Sequence, residues 1–424
     1  MTWDTLGGWG GSWGAASGAG RRGRREREGT AAMTDLLLPA DFFGFQSLLS
    51  DDEQKELLAL REFLESEIKP HVNAAWASAE FPHDLIPKFA EADIVGRSYD
   101  WEGRPRASRL YTGFQAMELS RVDPSMATFL GVHNGLAMGS IMILGSEEQR
   151  QRWIPSMMQM QTIGAFGLTE PEGGSDVARG MRTTARRDGD SWVLNGAKRW
   201  IGNGTFADVV VVFARDEADD QVKTFVVEKG TPGFTATKIE DKFALRTVQN
   251  ADLTFTDCRI PAENKLEDGN TFKDVNKVLK VTRGGVAWSG VGCQLGAYEV
   301  AVAYAKERHQ FGKAIGSFQL IQDLLARMLG NVTASLGMTV RLSQLQETDE
   351  LRDDQAALAK SYVTARGRET VGWARELFGG NGIVLDFDVV RYFNDAEALY
   401  SYEGTREMNT LIVGRSITGM SAFV

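Results

Sequence analysis

The period of the apolar residues changes twice along this chain, and that change limits the folds open to it. From residue 50 to about 161 apolar side chains recur at helical spacing, as in Leu57, Leu58, Leu60, Phe63 and Leu64. From about 162 to 265 the pattern is that of short strands, with β-branched runs at 208–214 and 223–227. From about 275 onward helical spacing returns, and Leu320, Leu324, Met328, Val332 and Leu336 mark one face of a long helix. No internal repeat is visible. The expected fold class is α+β: an N-terminal helical domain (33–161), a middle antiparallel β-domain (162–274) and a C-terminal helical bundle (275–424).

Local signals sharpen this reading. Ser50 followed by Asp51-Asp52-Glu53 opens a helix with a cap and acids at its positive end. A helix over 109–120 is broken by Asp123-Pro124, and Ser125 is expected to open the next. Gly145 stops that helix and Ser146 caps another. Asn195-Gly196, between Trp192-Val193-Leu194 and Ala197-Lys198-Arg199-Trp200, predicts a two-residue hairpin turn. Pro232-Gly233 predicts a turn before a strand over 234–239, and another strand covers 251–255. A helix over 353–378 ends at Gly379-Gly380.

Composition excludes several function classes. A formal net charge of −10 over 424 residues argues against nucleic acid as the main partner. Cys258 and Cys293 give neither metal spacing nor a disulfide framework, and they fit a reducing compartment. His71, His83, His133 and His309 form no ligand pair on one helix turn, so no catalytic metal is expected. No apolar run approaches the roughly 20 residues that span a bilayer, so no membrane span is expected. The first 32 residues are Gly- and Arg-rich and are expected to be a disordered tail. A natural start at Met33 is favoured over a transit peptide, because Asp4, Glu26 and Glu28 oppose the latter. A cytoplasmic, bacterial-type location follows, with the mitochondrial matrix as the alternative if the tail is a transit peptide. The final Ala422-Phe423-Val424 is not a peroxisomal tripeptide.

Several segments can carry chemistry. Tyr402-Glu403-Gly404-Thr405 sets a carboxylate between an aromatic ring and a Gly-Thr turn, after the mostly apolar run 396–400. A loop Glu is usually solvated, but a semi-buried one gains a raised pKa and becomes a better general base. Phe166-Gly167-Leu168-Thr169-Glu170-Pro171 leads into Gly173-Gly174-Ser175, where backbone can approach a phosphate; alone, it reads more readily as a turn at a domain boundary. Arg199-Trp200-Ile201-Gly202-Asn203 can cover a flat ring, although a core tryptophan is the commoner role. Arg308-His309-Gln310-Phe311-Gly312 with Gln319 offers phosphate and adenine contacts, or a cation at a helix end. Glu376, Gly379 and Gly380 give a Gly-rich loop or a routine helix cap. Arg283, beyond Lys273, Lys277 and Lys280, suits a phosphate-bearing substrate tail such as coenzyme A or a solvated basic face.

These motifs, in this order, resemble those of the acyl-CoA dehydrogenase family from about residue 48 to 423. The likeness is greatest to the glutaryl-CoA dehydrogenase branch and to plant short-chain acyl-CoA oxidase. The resemblance implies an acyl-CoA dehydrogenase-like fold with a C-terminal four-helix bundle, FAD as cofactor, and a homotetramer whose FAD site is shared between subunits. It implies that Phe166, Gly167, Leu168, Thr169, Ser175, Trp200, Ile201, Gly202, Arg308, Phe311, Gln319, Glu376, Gly379, Gly380 and Thr405 hold FAD. Ser175, Arg283 and Gly404 would meet the substrate. Glu403 would take the α-proton of an acyl-CoA thioester while the β-hydride goes to flavin N5, giving the trans-2-enoyl-CoA, with electrons passed to an electron-transfer flavoprotein. An oxidase using O2 is the alternative within this chemistry, favoured by the Val248-Gln249-Asn250 run and by Trp200-Ile201-Gly202-Asn203. A non-catalytic flavin- or CoA-binding subunit is the alternative outside it, opposed by the intact Glu403 motif. The chain departs from its relatives twice. After Arg121-Val122-Asp123, Ala127 and Thr128 stand where glutaryl-CoA dehydrogenases place arginine and serine, which disfavours a glutaryl substrate. Gly202 stands where many relatives have threonine.

Overall fold

The structure is a computed structural model describing residues 40–422; the tail expected at 1–32 lies outside them. The first helices are α1 (Asp51–Phe63), α2 (Lys69–Ser78), α3 (Arg109–Val122), α4 (Pro124–Leu144) and α5 (Glu147–Met158). Ser50 and Glu53 form a reciprocal capping box on α1, and Ser146 and Gln149 another on α5. Asp123, not Ser125, opens α4: its carboxylate accepts from the Met126 N–H at 2.9 Å, and Pro124 takes the first helical position, where its missing N–H costs nothing.

α4 corrects the reading of apolar runs. It is the one helix among the described residues long and apolar enough to cross a membrane. Its side chains Met126, Phe129, Leu130, Ala137, Met138, Ile141 and Leu144 are buried within the protein, as befits a core helix. His133 on α4 locks it to the sheet by accepting from the Gly164 N–H at 3.0 Å, while its other nitrogen lies 3.0 Å from the Met157 carbonyl.

Seven strands follow: β1 (Gly164–Gly167), β2 (Thr184–Asp188), β3 (Ser191–Ile201), β4 (Val209–Asp216), β5 (Val222–Glu228), β6 (Phe234–Lys238) and β7 (Ala251–Pro261). The order is β1-β4-β2-β3-β7-β6, with β5 on β4. β5 pairs antiparallel along β4; on the opposite edge of β4, β1 and then the start of β2 pair parallel to it. The sheet is therefore mixed, not wholly antiparallel as expected. The chain between β1 and β4 is long enough to return to the same end, which a parallel pairing requires. Continuous burial of the β-branched β4 reflects cover on both its faces, whereas β7 alternates buried and open positions.

Asn195-Gly196 is not a hairpin turn. β3 runs straight through it as a bulge against β7, and the turn is made earlier, at Gly189-Asp190. The bulge is fixed by Asn195, which exchanges hydrogen bonds with Asp257, and by Gly196, where a Cβ would lie 2.6 Å from the Thr183 Cα.

The remaining helices are α6 (Phe272–Glu307), α7 (Gln319–Glu347), α8 (Asp353–Phe378), α9 (Val389–Ser401) and α10 (Arg406–Thr418), with a small hairpin, β8 (His309–Gln310) and β9 (Lys313–Ala314), between α6 and α7. α6, α7, α8 and α9 pack around one apolar core that includes Ala297, Ala301, Met328, Val371, Ala374, Tyr392 and Leu399. On α7, Met328, Val332 and Leu336 are buried as expected, but Leu320 is 81% exposed.

α9 is tied to the first helices by a buried ion pair, Arg391 to Asp123 at 2.6 Å, with both side chains fully enclosed. One turn on, the Asp395 carboxylate accepts from the Leu245 N–H at 2.7 Å and from the Trp76 indole at 3.2 Å. These bonds fix the helix that delivers Glu403.

Candidate functional site

Glu403 sits on the short turn between α9 and α10. Its φ of 53° is left-handed, and so is the 83° of Gly404. For a residue with a side chain that conformation costs about 1–3 kcal/mol in strained settings and persists only when its surroundings over-determine it. They do so here. The buried Lys360 ammonium donates to the Tyr400 and Gly404 carbonyls, both at 2.8 Å. Asn409 donates to the Gly404 carbonyl at 2.9 Å and the Thr405 carbonyl at 3.1 Å. Thr405 caps α10 by accepting from the Met408 N–H.

The carboxylate itself points to α6, where the Thr282 hydroxyl donates to Glu403 Oε2 at 3.2 Å. Glu403 is half-buried, with protein atoms packed closely around its carboxylate. Burial pushes its pKa above the usual carboxylate range; the Thr282 hydrogen bond and the Arg283 and Lys360 charges oppose this more weakly. Arg283, on the same turn of α6, pairs with Asp353 at 2.7 Å.

The strand-end residues form a second group. Phe166 and Leu168 are buried, and Thr169 is half-open. The Arg199 N–H donates to the Thr169 carbonyl at 2.8 Å, so the 166–169 and 200–202 segments lie side by side. Trp200 is 53% exposed with a left-handed φ of 66°, its indole beneath the Arg199 guanidinium at 5.1 Å; Ile201 and Gly202 are buried. Asn250 donates to the Trp200 carbonyl at 3.2 Å, which joins the Val248–Asn250 run to this face. Gly202 is packed tightly enough that a Cβ would lie 3.1 Å from Val132. The middle of α4 bridges the two groups: Val132 meets Gly202, and a Cβ on Gly135 would touch Thr282 at 3.6 Å. Ser175 is exposed on the turn after Thr169.

Arg308, Phe311, Gln319, Glu376, Gly379 and Gly380 are all exposed and collect at the other end of α6. There Asn381 donates to the Tyr304 hydroxyl at 2.9 Å, and Tyr304 stacks on Phe378. Arg283 and Arg308 are about 37 Å apart at the standard helical rise, so within one chain this edge does not join the Glu403 site.

Near Glu403, the Tyr402 phenol interacts with the Thr128 hydroxyl, which also donates to the Pro124 carbonyl at 2.8 Å. Arg121 is bound by Glu65, Glu118 and Glu299 at 2.6–3.1 Å, so it is no free cation for this pocket. The sequence reading did not single out Thr282, Lys360 or Asn409. Lys360 carried a signal: a lysine among Ala356, Ala357, Ala359 and Val363 sits on an apolar helix face where a charge must have partners.

Sequence models of the acyl-CoA dehydrogenase N-terminal, middle and C-terminal domains match residues 50–161, 165–258 and 269–418. The chain is 34% identical over 376 residues to the mitochondrial short-chain specific acyl-CoA dehydrogenase of Rattus norvegicus, covering 87% of this chain and 91% of that one. It is similar to the crystal structure of a glutaryl-CoA dehydrogenase from Mycobacterium smegmatis in complex with FADH2, with a TM-score of 0.88 and 34% identity over 91% of this chain and 99% of that one. It is similar also to the butyryl-CoA dehydrogenase of Megasphaera elsdenii, with a TM-score of 0.82 and 31% identity over 87% and 98% of the two chains.

Proposed function

This chain belongs to the acyl-CoA dehydrogenase family, and on that premise we propose that it removes an α-proton and a β-hydride from an uncharged, short- to medium-chain or branched acyl-CoA, with Glu403 as the base. The observation that carries the proposal is the half-buried Glu403 carboxylate, raised in pKa by burial and held on a strained turn. General-base catalysis by a well-placed side chain is worth about 10²–10⁴ in rate, and a pKa raised toward working pH makes the carboxylate a stronger base. The Thr282 hydroxyl fixes one carboxylate oxygen and leaves the other for the substrate.

The residues present fit FAD. Trp200 offers an open indole face beside buried Ile201 and Gly202, and the Phe166–Thr169 backbone runs alongside it. FAD bound there would accept the hydride at N5. Phe166, Gly167, Leu168, Thr169 and Ser175 would line its ring and pyrophosphate, with Trp200 covering the ring. Arg308, Phe311, Gln319, Glu376, Gly379 and Gly380 would serve the adenine end of a neighbouring subunit's FAD, since they lie far from Glu403 along α6. That arrangement needs a homo-oligomer, in keeping with a homotetramer. Ser175, Arg283 and Gly404 would border the substrate.

An uncharged acyl chain is favoured because the pocket near Tyr402 has Ala127 and Thr128 in place of a cation, and Arg121 is already bound by three carboxylates. The test is anaerobic titration of the purified enzyme with acyl-CoA thioesters of rising length, glutaryl-CoA included, following flavin absorbance. Bleaching by butyryl- to octanoyl-CoA but not glutaryl-CoA is expected; efficient bleaching by glutaryl-CoA would overturn the substrate class. Slow reoxidation in air, and fast reoxidation by an electron-transfer flavoprotein, is the expected acceptor pattern; rapid peroxide release would make it an oxidase.

A further inference from the structure

Lys360 is a fully enclosed lysine near the start of α8 whose ammonium donates to the two backbone carbonyls that bracket Glu403. Both bonds, to Tyr400 and to Gly404, are 2.8 Å long, so one ammonium ties the end of α9 to the residue after the base. An ammonium is costly to bury; a core of Ala356, Ala357 and Val363 would be better served by methionine if packing were all that mattered. The left-handed φ of Glu403 needs an external clamp, and Lys360 grips the turn on both sides of the strained residue.

We propose that Lys360 is a positioning residue for the reaction: it holds the strained turn that aims the Glu403 carboxylate and supplies a buried positive charge that acts on it. The inference rests on the reading of Glu403 as the base. The groups acting on the carboxylate are Thr282 and Arg283 on α6 and Lys360 on α8; Glu407 on α10 also acts on Lys360, and Asp353 holds Arg283. Burial brings the Lys360 ammonium down to about 8, with Glu403 and Glu407 acting in the opposite sense, so it is charged at neutral pH. Its charge favours the ionised carboxylate, the form that accepts a proton. Without it, Glu403 would ionise only at higher pH, and the turn would lose the bonds that bracket it.

The test is made on FAD-loaded enzyme. Lys360→Met keeps length and apolar bulk but removes both donors and the charge. Lys360→Gln removes the charge while keeping an amide N–H donor, on a side chain one atom shorter. The readout is the rate of anaerobic flavin bleaching by butyryl-CoA across pH 5.5–9. With Lys360→Met the rate at neutral pH should fall about tenfold or more, with substrate affinity within about twofold of the parent. The rising limb of the pH profile should move up by about one pH unit in both variants. Lys360→Arg, which keeps charge and donors, should return the limb to the parental position. A parental limb and rate in Lys360→Met overturn the proposal, as does loss of FAD from both uncharged variants, which would assign Lys360 to folding alone. Glu403→Gln run alongside separates the two readings. If it bleaches at the parental rate, the base assignment fails; if it is dead while Lys360→Met behaves as the parent, only the positioning role fails.

Discussion

Two residues of this chain, Glu403 and Phe311, adopt nearly the same left-handed backbone, with φ of 53° and 52°. Their surroundings differ completely. Glu403 is gripped from α8 and α10, hydrogen-bonded from α6, and half-buried. Phe311 is 94% exposed on the β8–β9 hairpin, and its ring lies edge-on to Phe318 at 6.0 Å. Strain of this kind persists where something over-determines it. At Glu403 the chain supplies that support itself. At Phe311 the β8–β9 hairpin supplies it, since a two-residue turn closed by the His309–Ala314 and Gln310–Lys313 pairs takes left-handed backbone at both positions, here Phe311 and Gly312; what lacks cover is the ring, not the backbone. The first region is a carboxylate braced from three helices, and the second is an aromatic ring left open on a hairpin.

The largest effect that can test this contrast is at the braced end. Glu403→Gln keeps shape and removes the base, so anaerobic bleaching by acyl-CoA should fall by at least about 10²-fold while FAD stays bound and the melting temperature holds. Unchanged bleaching would mean that the braced turn serves something other than proton removal. At the open end the expectation reverses. Phe311→Ala should leave folding within about 0.5 kcal/mol, as exposed positions do, yet weaken flavin retention about tenfold and shift the enzyme toward smaller assemblies in sedimentation. If retention and assembly match the parent, the two regions are not halves of one site.

A third substitution probes the segment that the resemblance sets along the flavin. Gly202 faces Val132, and any Cβ there comes within 3.1 Å of that side chain. Gly202→Thr should therefore lower the melting temperature by several degrees, through about 1–3 kcal/mol of overpacking, and loosen flavin. Val132→Ala in the same chain should restore most of the loss, because the two share one contact. Failure of the second change to rescue the first would show that Gly202 is kept for a reason other than crowding.

What the sequence made legible follows the same division. Helix ends with capping chemistry were readable: Ser50, Ser146 and the 353–378 helix stand where their residues predicted. Signals that depend on a distant partner were not. Asn195-Gly196 carries the local mark of a hairpin, but its glycine is there because Thr183 passes within reach, a contact no local pattern contains. β1 beside β4 in parallel was hidden for the same reason, since the intervening strands give no hint of the return. Glu403 was legible as a candidate because its neighbours are apolar and Gly404 follows it. Its bracing was not, because Lys360 and Thr282 come from other helices, and only the oddity of a lysine on an apolar face pointed to one of them. The edge around Phe311 was legible as a motif, while its distance from Glu403 became plain only with the length of α6.

The smallest effect concerns the anchors that set the braced site. Two buried groups there titrate in opposite senses. Burial holds His133 down to about 4, so the unfolded chain takes up this proton first, and stability from His133 is lost as pH falls from about 6.5 toward 4. Burial, with the Asp123 charge beside it, pushes Asp395 up to about 7, while the Leu245 N–H, the Trp76 indole and Arg391 act the other way. A carboxyl whose folded pKa is raised stabilises most below its unfolded value near 4 and loses that contribution as pH rises through about 7. In the native chain the two trends partly cancel between pH 4 and 6.5. Asp395→Asn removes one of them. Its carbonyl can still accept from the Leu245 N–H and the Trp76 indole, and its amide fills the place of Oδ2, a buried oxygen without a partner. The variant should melt within about a degree of the parent at pH 5 and a few degrees above it at pH 8, read by calorimetry at matched ionic strength. A difference that does not grow with pH would mean that Asp395 is ionised in the folded protein throughout, and that α9 is held by charge rather than by a protonated carboxyl.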